Sequence, residues 1–316
     1  MKKVFCIGEL LIDFVAEKQG NDLSKADVFT KKAGGAPANV ACAIAKLGGL
    51  GKFIGCVGKD QFGSFLLSVL EDNHVDISLV QRSKTFTTIA FVSIAENGER
   101  DFVFSRGADK KLKYDSKVKS SFKENIVHFG AATALLGGDL EDAYGRYFFD
   151  ALTQDAFISF DPNFRGDLWQ GEEEIFIKKC MPFVQKAHLC KFSLEEAQLL
   201  SGKTDLEECC AILHEVGTKV IAITLGGDGT LLSTENSKHT IPSIKVSPVD
   251  TTGAGDAFIG CLLYQIAALH DPREVLENTE LLIEMVLMAN KAGAITTTNF
   301  GAIPSLPDQE QLFALG

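Results

Sequence analysis

At 316 residues, 46% hydrophobic and 23% charged, the chain reads as an ordinary globular sequence, long enough for one large α/β domain or two smaller ones. Its formal net charge of −11 excludes a basic nucleic-acid-binding surface, so a polyanionic ligand must be met by local amides, lysines, arginines or metal rather than by a global field. The eight cysteines form no Cys-x-x-Cys pair and no zinc-ligand spacing with the six histidines; most sit in apolar runs, as reduced thiols of a cytoplasmic protein do.

The chain opens with Met-Lys-Lys and an apolar run that Glu9 and Asp13 interrupt, and no small-residue cleavage site follows. This predicts a buried strand over 4–7 rather than a signal peptide. No stretch free of charge is long enough to span a membrane, so no membrane partner is expected. Lys3 to Phe14 reads as strand, turn, strand, with Gly8 at the end of the first strand. Asp13 lies in an apolar neighbourhood, where a carboxylate is costly without partners. Residues 15–33 are mixed and polar. A small-residue helix then opens in Ala33-Gly34-Gly35-Ala36-Pro37-Ala38-Asn39-Val40-Ala41, runs to Leu47 and ends at Gly48-Gly49. Gly34 and Gly35 allow a ligand close to backbone, and Asn39 offers a donor and an acceptor to a polyol. Thr87–Ala95 and Arg100–Ser105 are β-rich and flank Glu96-Asn97-Gly98-Glu99, a strong hairpin signal. With residues 15–33 they would make a small sheet.

From residue 125 apolar strands (126–129, 157–160, 188–192, 220–224) alternate with amphipathic helices (144–152, 175–186, 195–201, 206–215). The alternation predicts a parallel sheet covered on both faces, with ligands gathered outside the carboxyl ends of its strands. Asp161-Pro162-Asn163-Phe164-Arg165 follows one strand; its arginine suits a bidentate oxyanion contact. Lys191-Phe192-Ser193-Leu194-Glu195-Glu196 follows another and reads as a Ser-capped helix start with acids in the first turn. Thr224-Leu225-Gly226-Gly227-Asp228-Gly229 is a buried strand entering a glycine turn. Gly202-Lys203-Thr204 imitates the end of a P-loop, but position 197 is Ala where that loop needs Gly, and Gly202 is better read as a helix end.

The most informative stretch is Val246 to Phe258. An apolar, β-branched segment predicts a strand ending at Asp250, Thr251-Thr252-Gly253-Ala254-Gly255-Asp256 predicts a tight turn, and Ala257 to Leu269 predicts an apolar helix. A glycine turn at a helix N-terminus presents unpaired N–H groups and positive partial charge, which makes an anion site. Asp256 at its mouth either caps the helix or accepts a proton from a hydroxyl that attacks a phosphoryl group. A helical region then runs to Ala294, and Thr296 to Ser305 closes the core.

Asp250 to Phe258 closely resembles the second signature of the ribokinase-like (PfkB) family of carbohydrate kinases. The Gly34–Asn39 block, with Gly48 and Val57-Gly58-x-Asp60-x-x-Gly63, resembles the first, and the likeness extends from Gly8 to Pro307. The resemblance implies one ribokinase-like α/β domain over 1–316: a central, mostly parallel sheet with helices on both faces and a small β-sheet lid from about 14–33 and 86–107. It implies an ATP-dependent sugar kinase with Asp256 as catalytic base and the amides of Gly253, Ala254 and Gly255 as anion hole. Asp13, Gly34, Gly35, Asn39, Phe104, Arg106, Asn163 and Arg165 would meet the sugar, with Phe102 as a further lid contact. Lys191, Thr224, Gly226, Gly227, Gly229, Gly253, Gly255 and Asn290 would meet ATP. Glu196 takes the place of the glutamate in the family's Asn-x-x-Glu, with Ser193 replacing the Asn, and would organise the water shell of Mg²⁺. Asp250, Thr252, Thr296, Asn299, Gly301 and Ser305 match positions that bind K⁺ in some members. The Gly8-Glu9-x-x-Ile12-Asp13-Phe14 opening and Phe104-Ser105-Arg106-Gly107-Ala108-Asp109 look most like the fructokinases, which convert D-fructose and ATP to fructose 6-phosphate and ADP. Ribose, 2-keto-3-deoxygluconate and nucleosides are the alternative acceptors. A non-catalytic sugar-binding regulator on the same fold is the alternative of another class, and it would be expected to lose Asp256. A lid with apolar faces implies a homodimer formed through it.

Overall fold

In Lys3–Ile7, the first strand (β1), Val4 and Cys6 enter one hydrophobic layer while Phe5 and Ile7 enter another. A strand with no polar face belongs in a sheet covered on both sides. The computed structural model describes residues 1–17, 20, 22–94 and 100–314. Its other strands are β2 (Leu11–Ala16), β3 (Phe29–Gly34), β4 (Leu50–Ile54), β5 (Cys56–Gly58), β6 (Gln81–Ser83) and β7 (Ile89–Ile94). They continue with β8 (Arg100–Ser105), β9 (Ile126–Gly130), β10 (Phe157–Asp161), β11 (Leu189–Ser193), β12 (Val220–Thr224), β13 (Thr230–Thr234) and β14 (Lys238–Ile241). Among the described residues, eight strands form the central sheet in the order β14-β13-β12-β11-β10-β9-β1-β4. Pairing is parallel from β12 to β4, and β13 and β14 add an antiparallel edge. This is the mostly parallel α/β sheet that the alternation predicts.

The α-helices are α1 (Ala36–Lys46), α2 (Gln61–Asp72), α3 (Asp139–Thr153), α4 (Glu173–Lys186) and α5 (Leu194–Ser201). After them come α6 (Leu206–Val216), α7 (Ala254–Ala268), α8 (Thr279–Thr296), α9 (Ala302–Ser305) and α10 (Gln309–Ala314). Side chains of α1, α7 and α8 fill one layer of the core, and those of α3, α4 and α6 fill the other. No helix among the described residues is long and apolar enough to cross a membrane.

A second sheet runs β3-β2-β7-β8 and is built from the segments expected to form a lid. The predicted turn at 96–99 lies outside the described residues, but β7 and β8 pair antiparallel from Ile89↔Ser105 to Ile94↔Arg100, as a hairpin requires. Register places Asp13 beside Lys32 and Ala90, and Ala90 beside Phe104, so these four share one face. Phe14, Phe29 and Phe91 share the opposite face, where Phe14 meets Phe62 of α2 edge-on at 5.7 Å.

One predicted strand is absent. Residues 242–250 form no strand, because the sheet ends at β14 and Pro242 and Pro248 remove two N–H donors. The amides of Val249 and Asp250 instead share the carbonyl of Thr297, at 2.7 and 3.1 Å. Helix α7 also begins at Ala254 rather than Ala257, so Gly255 and Asp256 lie in its first turn. Gly253 is its N-cap at φ 82°, and a Cβ there would sit 2.5 Å from that of Ala302. Only glycine fits both demands.

The contact that matters most for the site is between α1 and α7. A Cβ on Gly260 would lie 2.5 Å from the Ala43 Cβ and 3.2 Å from the Val40 carbonyl, so the two helices touch almost backbone to backbone. Asn39 and Asp256 each lie one turn N-terminal to that contact, on the same faces as Ala43 and Gly260. Gly260→Leu should therefore cost roughly 1–3 kcal/mol by overpacking. In the folded fraction it should reduce turnover beyond what the urea midpoint explains, which unfolding curves and specific activity measure together.

Candidate active site

Asp161 at the end of β10, Lys191 of β11 and the first turn of α7 come together in one place. Asp256 is 8% exposed and accepts a hydrogen bond from Asn39 Nδ2 at 2.8 Å. It does not cap α7, because Gly253 holds the N-cap position. Burial pushes its carboxyl up to about 6, the nearby Asp161 adding to the rise and Asn39, Lys191 and Arg165 opposing it. The Ala254 amide donates to Thr251 O at 3.3 Å, so of the three expected anion-hole amides this one already has a partner.

Lys191 comes from β11 and places Nζ 3.1 Å from Asp161 Oδ2, at the end of β10. A Cβ on Gly255 would stand 3.2 Å from that Nζ. Gly255 thus lets the ammonium approach the first turn of α7. Burial pulls the Lys191 pKa down, but Asp161, Glu196 and Asp256 outweigh it and hold the group near 12. A permanent cation beside the positive end of a helix is unfavourable by itself. It is stable here because carboxylates surround it.

Glu196 closes a capping box on α5. Ser193 Oγ accepts the Glu196 amide at 3.1 Å, and Glu196 Oε2 accepts the Ser193 amide at 2.7 Å. Its Oε1 accepts the Phe164 amide, also at 2.7 Å. Burial raises the Glu196 pKa against the pull of Lys191. The helix-capping reading of this residue holds: both oxygens are anchored by backbone amides, and each keeps a lone pair. Asn163 is buried at φ 46°, with its amide on Asp161 Oδ1 at 3.0 Å. Arg165 is exposed, and its charge acts on both Asp256 and Glu9.

The remaining expected residues have local partners of their own. Asp250 Oδ1 accepts from the Thr252 amide and hydroxyl at 2.9 and 2.6 Å, and its Oδ2 accepts from the Gly301 amide at 2.8 Å. Thr296 Oγ1 donates to Ala292 O at 2.9 Å, and the exposed Asn299 bonds Thr298. The Ser305 hydroxyl is buried without a partner, which is the feature here that fits a hard cation. The Asn39 Oδ1 atom is likewise buried and unpartnered, and fits a sugar hydroxyl. Among the described residues no cluster of three or more His, Cys, Asp or Glu could hold a metal. Mg²⁺ in phosphate sites needs no such cage, since it keeps several waters.

Thr224, Gly226, Gly227 and Gly229 form the β12–β13 hairpin, with Gly226 and Gly227 exposed and Thr224 Oγ1 bonded to Phe192 O at 3.2 Å. Asn290 spends its carboxamide on the chain: Oδ1 accepts from Thr230 at 2.6 Å, and Nδ2 donates to Ile241 O at 2.9 Å and Pro242 O at 3.2 Å. On the small sheet, a Cβ at Gly34 would overlap the Asp13 carboxylate, so the two are in direct contact. Phe104 is half-buried and stacks on Phe102 at 5.9 Å. Arg106 is tied to Asp109 Oδ2 at 3.1 Å, Leu136 O at 2.8 Å and Thr133 O at 3.0 Å. Sequence reasoning missed Asp161, Glu9 and Asp109. Asp161 could have been found as an acid at the end of a buried strand that also needs a partner for the buried Lys191, and Glu9 as a charge in an apolar run.

A family model for pfkB family carbohydrate kinases matches residues 1–309. Fructokinase-1 of Zea mays is 38% identical over 99% of this chain and 97% of its own length. The chain superposes on the fructokinase from Xylella fastidiosa with bound ATP at a TM-score of 0.88 and 29% identity, covering 100% and 98% of the two chains. A double mutant of the Vibrio cholerae O395 fructokinase, in a fructose, ADP and potassium ion bound form, matches at a TM-score of 0.83 and 31% identity, covering 99% and 98%. The chain belongs to the pfkB family of carbohydrate kinases, and its fold is ribokinase-like.

Removing one partner of a buried ion pair strands the other charge. Asp161→Ala should cost about 3–5 kcal/mol, read from urea unfolding at neutral pH. Asp161→Ala, Lys191→Met together should recover part of that loss.

Proposed function

We propose that this kinase is an ATP-dependent fructokinase that transfers the terminal phosphoryl group of ATP to a hydroxyl of D-fructose, giving fructose 6-phosphate and ADP. The observation that carries the reading is Asp256: a buried carboxylate, oriented by Asn39, in the first turn of α7 and across Gly255 from the Lys191 ammonium. The full-length similarity to fructokinases supports fructose as the acceptor.

Asp256 accepts the proton of the sugar hydroxyl, whose oxygen attacks the phosphorus in line while ADP leaves. The Gly253–Asp256 turn and Lys191 face the negative charge that gathers on the transferred group, and because they are already in place they need no reorganisation as it forms. Asp161 keeps Lys191 protonated. Asp13, Gly34, Gly35, Asn39, Asn163 and Arg165 hold the sugar, with Phe104 closing over it. The β12–β13 hairpin and Asn290 border the nucleotide. Glu196 would help hold a hydrated Mg²⁺, which when bound would supply charge neutralisation on the phosphates. Asp250, Thr252, Thr296, Asn299, Gly301 and Ser305 form the K⁺ site. The second sheet acts as the lid of a single kinase domain and pairs with its copy in a homodimer. The eight buried free thiols suit a cytoplasmic enzyme.

A coupled ADP-release assay over fructose, ribose, 2-keto-3-deoxygluconate and nucleosides tests the reading; fructose should give the highest kcat/KM. Fructose binding with no turnover on any acceptor would instead indicate a sugar-binding regulator. Asp256→Asn should lower kcat by about 10²–10⁴-fold while leaving fructose binding in place. Because the base form exists only above its raised pKa, kcat/KM for fructose should fall tenfold per pH unit below about 6 and level off above it. A profile flat down to pH 4.5 would exclude Asp256 as the base.

A further inference from the structure

Glu9 is a carboxylate 1% exposed, and its partners are hydrogen-bond donors rather than a cation. Such a group is costly to bury without hydrogen bonds or a counter-charge. Its Oε1 accepts the amide of Ala36 at 3.1 Å. Ala36 is the first residue of α1, whose N-cap Gly35 has no side chain to offer. Glu9 therefore caps α1 from a different segment. One turn along the same helix, Asn39 donates to Asp256.

The other Glu9 oxygen faces Thr133 Oγ1 at 3.5 Å, and that hydroxyl lies 3.0 Å from Asp109 Oδ2. Asp109 is equally buried, takes Arg106 Nε at 3.1 Å and accepts the Thr88 hydroxyl. Thr88 Oγ1 accepts the Gly107 amide at 2.9 Å. Apart from Thr133, which follows β9 in the body, each of these residues stands where the chain enters or leaves the small sheet. Glu9 precedes β2, Gly35 follows β3, Thr88 precedes β7, and Arg106 to Asp109 follow β8. Gly35 is packed so closely on Glu9 that a Cβ would lie 2.5 Å from the Glu9 carbonyl. Arg106 adds two bonds to the body, at Leu136 O and Thr133 O.

We propose that Glu9 and Asp109 are positioning residues: one buried polar cluster that joins all four roots of the small sheet to the body and, through the Glu9 cap on α1, sets the alignment of Asn39 with Asp256. Asp109 fixes where the lid stands over the sugar. Glu9 passes that placement to the base. The inference rests on the reading of Asp256 as the base.

Steady-state kinetics of Glu9→Ala, Glu9→Gln and Asp109→Asn, with Asp256→Asn alongside, test it. Glu9→Ala should lower kcat about 10–100-fold with the KM for ATP changed less than about twofold. Glu9→Gln keeps an oxygen for the Ala36 amide and should recover activity to within about threefold of the parent. Asp109→Asn should raise the KM for fructose about tenfold, leave that for ATP unchanged, and raise ATP hydrolysis without sugar relative to transfer. Parental kinetics in a folded Glu9→Ala, or Glu9→Gln as impaired as Glu9→Ala, would overturn the cap. If Glu9→Ala does not fold, Asp109→Asn decides: unchanged fructose KM and coupling overturn the proposal. Full turnover in Asp256→Asn would sink the base reading, whereas an inactive Asp256→Asn beside a parental Glu9→Ala would sink only this inference.

Discussion

The arrangement of the site depends on how closely two helices can approach. Ala43 and Gly260 bring α1 and α7 together with almost no side chain between them, and one turn away this approach becomes the 2.8 Å bond between Asn39 and Asp256. A hydrogen bond needs its heavy atoms near 3 Å, so a bulkier residue at the crossing acts directly on the polar pair. The composition of α1 follows from this requirement. Alanine favours helix and adds little width, and Ala36, Ala38, Ala41, Ala43 and Ala45 all lie in this helix and are buried. The strands beneath are a platform whose alternating side chains hold the helices in register.

Electrostatics on that platform are arranged in two steps. Asp161, Glu196 and Asp256 all act on Lys191, and one ammonium serves three carboxyl groups. Burial drives the carboxyl groups of both Asp256 and Glu196 upward, and the neighbouring Asp161 adds to each rise. Glu196 remains anchored by two backbone amides, whereas Asp256 has a side-chain amide as its partner. The two carboxyl groups therefore differ in how firmly they are held. A carboxylate held by rigid main-chain donors is a fixture; one with a single side-chain partner, titrating near 6, can exchange a proton close to neutral pH.

Much of this was legible in the chain. The continuous apolar runs and their alternation with helices specify the parallel sheet, and strand existence is read well wherever both faces are buried, as in β1, β10 and β12. The strand expected before Asp250 fails for a local reason: its β-branched residues suit a sheet, but two prolines and a position beyond the edge strand deny it partners. The glycine turn and Asp256 were legible because their backbone demands leave few residue choices. Asp161 beside Lys191 was not, because that pair depends on strand order. β10 and β11 are adjacent only once the sheet exists. Glu9 and Asp109, a hundred residues apart in sequence, are equally invisible until the small sheet returns the chain to its starting point.

Position in a motif and the use of a side chain are separate properties, and Arg106 and Asn290 show the difference. Both stand where the family resemblance expects ligand contacts. Asn290 has its oxygen and both amide hydrogens engaged by Thr230, Ile241 and Pro242. With its donors spent, such a carboxamide borders a ligand mainly by shape. Arg106 has three of its five N–H donors bound to Asp109, Leu136 and Thr133, and the guanidinium plane is fixed by them. Its remaining donors can point only where that plane allows. Pinned in this way, Arg106 orients the strand that carries Phe104 more firmly than a ligand-seeking arginine would. Asn39 is the opposite case: its Nδ2 is spent on Asp256, while its buried Oδ1 has no partner in the chain and keeps its capacity to accept a hydrogen bond.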